Sequence, residues 1–355
     1  MPLRVIEFQL LQKCNAQCLY CAYEQNASKE EGFFPLSLID STLADSLPEW
    51  VWFEGGEVTI SDKSKEYLLE AMAIANKHGV KIRINTNAQN VNPQWAKRLA
   101  EGGLKYACVS FDSLNTETYA KLRGYDVSKA AERHEDLKRN AIGLADAGVT
   151  VNLEATLTRH NIGELLDLYD FTEKLARPGR EILMGIQFLV ATYDEIFDIA
   201  PTIQKANTAL MEVIQRAKKG KIPLRICCCS LVPCEYPEIH EPHENIIMVG
   251  CSCGFDHSHI HASGDVFLCG FWDHSEPIGN LHKSTFRDIW ETSPLRANLL
   301  NTQPDKCVDC DSWEGKVRCR NTCPSVVKRK TGGFSELSYP LLQKMIVQSK
   351  KKGNT

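Results

Sequence analysis

Residues 5–21 read Val5-Ile6-Glu7-Phe8-Gln9-Leu10-Leu11-Gln12-Lys13-Cys14-Asn15-Ala16-Gln17-Cys18-Leu19-Tyr20-Cys21. The mostly apolar start predicts a strand over Val5–Leu10, and three cysteines, spaced x3 and then x2, follow in the loop directly after it. In parallel α/β barrels the loops after the strands carry the chemistry. Cysteine thiolates are the ordinary protein ligands of a cubane [4Fe–4S] cluster, and three of them leave one of its four irons open. A structural zinc site wants four closed ligands, and no fourth Cys or His lies near this loop in the sequence.

Outward from this strand the same pattern repeats. Short apolar runs at Trp50–Phe53, Lys81–Asn85, Tyr106–Phe111, Thr150–Ala155 and Leu183–Phe188 alternate with amphipathic stretches such as Lys65–Lys77 and Asn161–Leu175. That is the signature of strand–helix units and a parallel sheet. His78-Gly79 and Ala147-Gly148 stand where helices should stop before the next strand. Roughly six units are too few to close an eight-fold barrel, so the expected fold is α/β, a partial (βα)6 TIM-like barrel over residues 1–225 with one open side. A helix over Pro201–Lys219 then leads into residues 226–330, where eleven cysteines fall between Cys227 and Cys323 and apolar runs thin out. This reads as a small cysteine-rich domain held by metal more than by apolar burial. Residues 331–355 are expected to form a C-terminal helix, Phe334–Gln348, and a tail.

A chain of 355 residues with 43% hydrophobic content can bury a large core. Its net charge of -4 offers no general attraction for nucleic acid or a membrane surface, and the basic run Lys350 to Lys352 reads as a solvated terminus. No window approaches the roughly 18 apolar residues of a membrane span, and the start does not read as a signal peptide. A cytoplasmic protein is expected, with neither nucleic acid nor membrane as a partner. Fifteen cysteines in a reducing compartment point to metal and away from disulfides.

With Tyr20 just before the third cysteine, the Cys14, Cys18, Cys21 spacing resembles the defining motif of the radical S-adenosylmethionine (SAM) superfamily. The resemblance runs along the barrel. Phe53-Glu54-Gly55-Gly56-Glu57 is similar to the family's Gly-Gly-Glu element, with Val58 where a proline is usual; Asn85-Thr86-Asn87 is similar to its Thr-Asn-Gly element, with Ala88 in place of glycine. Ser110-Phe111-Asp112 and Arg123-Gly124 resemble the segments whose serine and arginine hold SAM. The resemblance implies a [4Fe–4S] cluster on the three cysteines whose open iron chelates SAM, one-electron cleavage of SAM, and a 5′-deoxyadenosyl radical. It further implies that Tyr20, Gly55, Gly56, Glu57, Asn87, Ser110 and Arg123 form the SAM site, Glu57 meeting the amino group, Asn87 the ribose, and Arg123 the carboxylate or ribose. Cys108 shares a strand face with Ser110, so it is a candidate hydrogen-atom donor or substrate contact, a buried core thiol being the plain alternative.

Farther along stand Cys251, Cys253, Cys269, Cys307, Cys310, Cys319 and Cys323, with a hairpin signal at Gly264-Asp265 and the segment Ile278-Gly279-Asn280. This resembles the SPASM module, an auxiliary iron–sulfur domain. It implies one or two auxiliary clusters: Cys269 and Cys323 with Cys253 or Cys251 around the first, and Cys307, Cys310 and Cys319 at a second whose fourth ligand is open. The gap from Cys310 to Cys319 is longer than the module's usual one, and no cysteine follows Cys323. A zinc domain is the alternative for this region. Cys227, Cys228, Cys229 and Cys234 supply at most one or two ligands, a quenching thiol or packing, and His257, His259 and His261 alternate as on a strand and read as solvated, a histidine ligand being the alternative.

The resemblance implies an enzyme that abstracts a hydrogen atom from a ribosomally made peptide, or from a carbohydrate or other small metabolite, with flavodoxin or ferredoxin as reductant. A non-catalytic iron–sulfur electron carrier is the rival of a different class.

Overall fold

Along β1 (Val5–Leu11), Ile6, Phe8 and Leu10 alternate with Glu7 and Gln9, and every residue of the strand is buried. One face is therefore packed in oil and the other enclosed but polar, the condition of a strand inside a barrel wall. In the computed structural model, which describes residues 3–22, 32–190, 194–227, 234–307 and 323–336, the other five expected strands follow in chain order and parallel register: β2 (Trp50–Gly55), β3 (Lys81–Thr86), β4 (Leu104–Ser110), β5 (Thr150–Leu157) and β6 (Ile182–Phe188). Two short strands, β7 (Leu224–Cys227) and β8 (Ile246–Val249), continue the parallel sheet beyond residue 225, where the sequence placed the end of the barrel.

The register sorts the two faces. Phe8 pairs with Phe53, Phe53 with Ile84, Ile84 with Ala107 and Ala107 with Val151, a continuous apolar stripe. Helices α1 (Leu36–Ser46), α2 (Asp62–Lys77), α3 (Pro93–Glu101), α4 (Thr116–Arg123), α5 (Val127–Asp146), α6 (Leu165–Leu175) and α7 (Ile203–Ala217) follow the strands in turn, and their buried apolar residues join the same core. Fully burying a side chain of this size contributes about 1.5–3 kcal/mol, so this stripe is the main source of stability. Helix α2 starts earlier than its apolar period indicates, because Ser61 and Ser64 form a reciprocal cap ahead of Lys65.

The cysteine-rich part adds β9 (His257–Ile260), β10 (Asp265–Phe267) and β11 (Gly279–Asn280), then α8 (Phe286–Thr292), α9 (Pro294–Asn301) and α10 (Pro324–Thr331). The hairpin of β9 and β10 turns at Gly264, whose φ is +84°, as its Gly-Asp signal predicts. Strand β9 runs parallel to β1 and pairs with it, so one sheet of eleven strands results, with β11 and β8 as its edges. Residues 334–336 are not helical, and the rest of the expected helix over Phe334–Gln348 lies outside the described residues. No helix among the described residues is long and apolar enough to cross a membrane.

Candidate active site

The three-cysteine loop is clamped from two sides. Gly56 N and Glu57 N, at the end of β2, donate to Leu11 O and Lys13 O at 2.8 and 2.9 Å. From the opposite side, Gln17 N and Leu19 N donate to Arg123 O and Leu122 O at the end of α4. Both clamps need glycine. A Cβ on Gly55 would stand 2.1 Å from Leu11 O, one on Gly56 2.1 Å from Lys13 O, and one on Gly124 2.4 Å from Gln17 O. The glycine pair thus lets β2 press against the backbone that carries Cys14, a different use from the close approach to a ligand that the motif resemblance implies.

A cavity of about 270 Å³ opens at these strand ends. Cys14, Cys18 and Cys21 line it with Tyr20, Gly55, Gly56, Glu57, Asn87, Ser110 and Arg123, so every residue expected from sequence at the barrel cofactor site meets here, Cys108 apart. Among the described residues no other cysteine and no histidine lines it. Burial, with the Glu57 carboxylate and the two neighbouring sulfurs behind it, pushes the Cys14 thiol up to about 12. Burial raises Cys18 too, although Arg123 pulls the other way. Cys14 and Cys18 thiols raised in this way become thiolates against concentrated positive charge of the kind that cluster iron supplies. The donor set therefore fits a cubane held by three sulfurs.

Around them the polar groups are organised. Glu57, 2% exposed, accepts from Thr59 N and Oγ1 and from Thr86 Oγ1 through Oε1, and from Asn87 N through Oε2. Asn87 Nδ2 donates to Asn15 Oδ1 inside the cysteine loop at 2.7 Å. Arg123 and Asp112 form a fully buried ion pair, Nη2 to Oδ2 2.6 Å, and Arg123 Nη1 also reaches Cys18 Sγ at 3.4 Å. Tyr20 Oη donates to the same Asp112 Oδ2 at 2.5 Å. Arg123 Nε is buried without an acceptor among the described residues.

Ala88, where the family has glycine, sits at φ +54° and is fully buried. Glycine occupies this left-handed conformation without a Cβ clash, which relieves about 1–2 kcal/mol. Losing a buried methyl costs about 0.8 kcal/mol, and freeing the unfolded chain about 0.5–1 kcal/mol more. Ala88→Gly is therefore expected to change stability by less than about 1 kcal/mol, while Ala88→Val, β-branched at positive φ and overpacked, should lose about 2 kcal/mol or more; thermal unfolding of the pair checks this.

The inner barrel face that lines the cavity is charged. Arg83 stacks on Trp52 at 3.8 Å and donates to Asn85 Oδ1, Asn85 Nδ2 donates to Glu54 Oε2 at 2.7 Å, and Arg225 pairs with Glu154 at 2.9 Å. Cys108 lies in this face with Asn152 Nδ2 3.5 Å from its sulfur, does not line the cavity, and is pushed up to about 12 by burial and then by Glu154. The plain reading of Cys108 as a buried thiol describes its surroundings. These charged residues escaped the sequence reading. Their signal was polar residues two apart inside short strands, as in Glu7-x-Gln9 and Arg83-x-Asn85.

His257 and His259 are a correction. They are 7% and 0% exposed, not solvated, because β9 pairs with β1 and turns them into the barrel toward Glu7. His257 Nε2 stands 3.0 Å from Glu7 Oε2, and His259 Nδ1 stands 3.5 and 3.3 Å from carboxylate oxygens of Glu7 and Glu54. Burial would raise Glu7, but His257 and His259 bring it well below the usual carboxylate range. Burial alone would lower His259, yet Glu54 and Glu7 carry it up to about 9. His261 is partly buried and shares a hydrogen bond with Gln12 Nε2 at 3.0 Å.

A second set of sulfurs gathers around β9 and β10. The buried Cys253 thiol is raised by burial and by hydrogen bonding to Cys251 and Cys269. Cys323, also buried, is raised by burial and then by Cys251 and Cys269. Four thiols thus converge where the sequence left Cys251 and Cys253 as alternatives, enough for a cluster with no open iron. Gly270 and Phe271, next to Cys269, line the barrel cavity. Cys307 is buried, Cys227 is buried in β7 and Cys234 is exposed; Cys228, Cys229, Cys310 and Cys319 lie outside the described residues.

Residues 8–172 match the model of the radical SAM superfamily, and residues 251–311 match SPASM, an iron–sulfur cluster-binding domain. The chain belongs to the radical SAM superfamily, as an enzyme with a SPASM-type auxiliary domain whose cofactors are S-adenosylmethionine and iron–sulfur clusters. Over 89% of its length it is similar, at 25% identity, to Fe-coproporphyrin III synthase of Methanosarcina barkeri, 83% of which is covered. It is 24% identical over 90% of its length to mycofactocin maturase MftC of Mycobacterium ulcerans, 82% of which is covered. Among solved structures, that of Streptococcus suis SuiB bound to precursor peptide SuiA has a TM-score of 0.70 at 17% identity, covering 97% of this chain and 76% of SuiB.

Proposed function

We propose that Cys14, Cys18 and Cys21 hold the SAM-cleaving [4Fe–4S] cluster and that the protein abstracts a hydrogen atom from a ribosomally made peptide. The observation that carries this reading is a cavity with three sulfurs and no fourth cysteine or histidine among the described residues that line it. Held there, a [4Fe–4S] cluster would supply the one electron that splits SAM into methionine and the 5′-deoxyadenosyl radical needed to take a substrate hydrogen atom. The chain orients and shields. Glu57, fixed by Thr59, Thr86 and Asn87, presents its carboxylate to the ammonium group of SAM. Arg123, fixed by Asp112, keeps Nε for the carboxylate, and Asn87 and Ser110 serve the ribose. Cys251, Cys253, Cys269 and Cys323 hold the first auxiliary cluster, beside the wall formed by Gly270 and Phe271, and Cys307, Cys310 and Cys319 serve a second. A flavodoxin or ferredoxin is the electron donor. Residues 1–225, 226–330 and 331–355 are the proposed barrel, auxiliary domain and C-terminal helix with tail, β8 of the second range extending the barrel's sheet.

A peptide substrate is supported by the likeness to mycofactocin maturase and by the fold shared with SuiB in its precursor-peptide complex. A second reading, radical oxidation of a small metabolite, is favoured by the likeness to Fe-coproporphyrin III synthase and by a charged inner face suited to a polar, compact molecule. Anaerobically reconstituted protein given SAM and dithionite is expected to release 5′-deoxyadenosine and methionine in equal amounts. Intact SAM after many cluster equivalents of reductant would reject the proposal. Acceleration by candidate precursor peptides, set against iron porphyrins, separates the two substrate classes.

A further inference from the structure

Glu7, Glu54 and His259 bring one ligand atom each to a single point inside the barrel, all three atoms lying within 4.8 Å of one another and all three residues buried. They come from three different strands, β1, β2 and β9, that lie side by side in the sheet. The spacing suits a metal cradle as well as the ion pair, a bound metal taking the place of the proton that Glu54 and Glu7 hold on His259. A charge-assisted N–H···O bond closes to about 2.7–2.9 Å. His259 Nδ1 instead stands 3.5 Å from Glu7 Oε2 and 3.3 Å from Glu54 Oε1. A tetrahedral ion with bonds of about 2.0–2.2 Å separates its ligand atoms by about 3.3–3.6 Å.

The surroundings are those of a supported site. His257 Nε2 is 3.0 Å from Glu7 Oε2, and Ser252 Oγ fixes the far side of the His257 ring at 3.1 Å. Asn85 Nδ2 holds the other oxygen of Glu54 at 2.7 Å. Glu7 and Glu54 also line the cavity that the three N-terminal cysteines share, so a fourth coordination position faces that space.

We infer that Glu7, Glu54 and His259 form a mononuclear site for a divalent transition-metal ion with nitrogen and oxygen ligands, separate from the sulfur-ligated clusters and open toward the substrate cavity. The ion would present a Lewis-acidic position to a substrate carboxylate, carbonyl or hydroxyl. One imidazole and two carboxylates suit zinc, manganese, cobalt or ferrous iron and do not suit a sulfur-loving cluster.

The test loads anaerobically reconstituted full-length holoenzyme with Zn²⁺, desalts it, and measures zinc, iron and sulfide together. Retention of about one zinc per chain is expected, with iron and sulfide unchanged, and zinc-edge X-ray absorption showing only nitrogen and oxygen near 2.0–2.1 Å. Glu54→Gln and His259→Asn should each weaken zinc binding at least about 100-fold, and His257→Gln about 10-fold to 100-fold. A sulfur shell near 2.3 Å, no retained zinc, or unaltered zinc affinity in folded variants overturns the inference. If a variant does not fold, the absorption spectrum of the unaltered holoenzyme decides alone, because nitrogen–oxygen and sulfur shells exclude each other as the answer.

Discussion

Asp112→Ala is expected to cost about 3–5 kcal/mol of folding stability, the usual loss when one partner of a buried ion pair is removed. Asp112 is fully buried and is a hub: Oδ2 meets Arg123 and Tyr20, and Oδ1 accepts from Thr156 N at 3.0 Å. Its removal leaves the Arg123 guanidinium, 4% exposed, uncompensated beside Cys18. The damage should spread to the cysteine loop, since Tyr20 and the α4 end both lose their anchor. Denaturant unfolding gives the stability loss, and iron per chain after reconstitution gives the functional one. A loss under about 1 kcal/mol would mean that Arg123 finds another counter-charge and that the hub is not what holds the loop.

Gly56→Ala should leave the fold in place and stop the chemistry. The new Cβ would lie 2.1 Å from Lys13 O, 2.4 Å from Lys13 C and 2.5 Å from Gln12 O, all backbone atoms immediately before Cys14. Something must move, and the cysteine loop is what can. A displacement of about 1 Å at a reacting centre costs about 100-fold, so 5′-deoxyadenosine formation is expected to fall at least that far while far-UV circular dichroism is unchanged. Gly79→Ala is the control: φ is +70° there, but no atom lies within 4 Å of the added carbon, so it strains the backbone by about 1 kcal/mol without touching activity. If the two variants cleave SAM alike, the pressing of β2 on the loop does not set its position.

The strands were legible because apolar, β-branched runs at regular spacing have few other readings, and the six expected strands occur in the expected order. The residues expected at the barrel site share one cavity because their motifs stand at or just after strand ends, Arg123 at the end of α4 apart. What escaped was long-range. Nothing near His259 in the chain announces that β9 will lie against β1, about 250 residues away, and it is this pairing that turns a solvent-facing pattern into a buried one. The purpose of Gly55 and Gly56 escaped for a similar reason, since the atoms they make room for belong to Leu11 and Lys13. Strands β7 and β8 were missed because four residues are too few to show a period. Cys251 and Cys253 could not be ranked from spacing alone, and folding brings both to Cys269.

Strand β1 has one more role. It is sewn on one margin to β2 and on the other to β9, with Val5 to Phe8 laced to His257 to Ile260. A swing of the cysteine-rich region away from the barrel would have to unpick the very strand that delivers Cys14. The spacing between the two groups of cysteines is therefore set when the chain folds, by the pairing of β1 with β9. The two ends of the sheet, β8 and β11, are left unpaired with each other among the described residues.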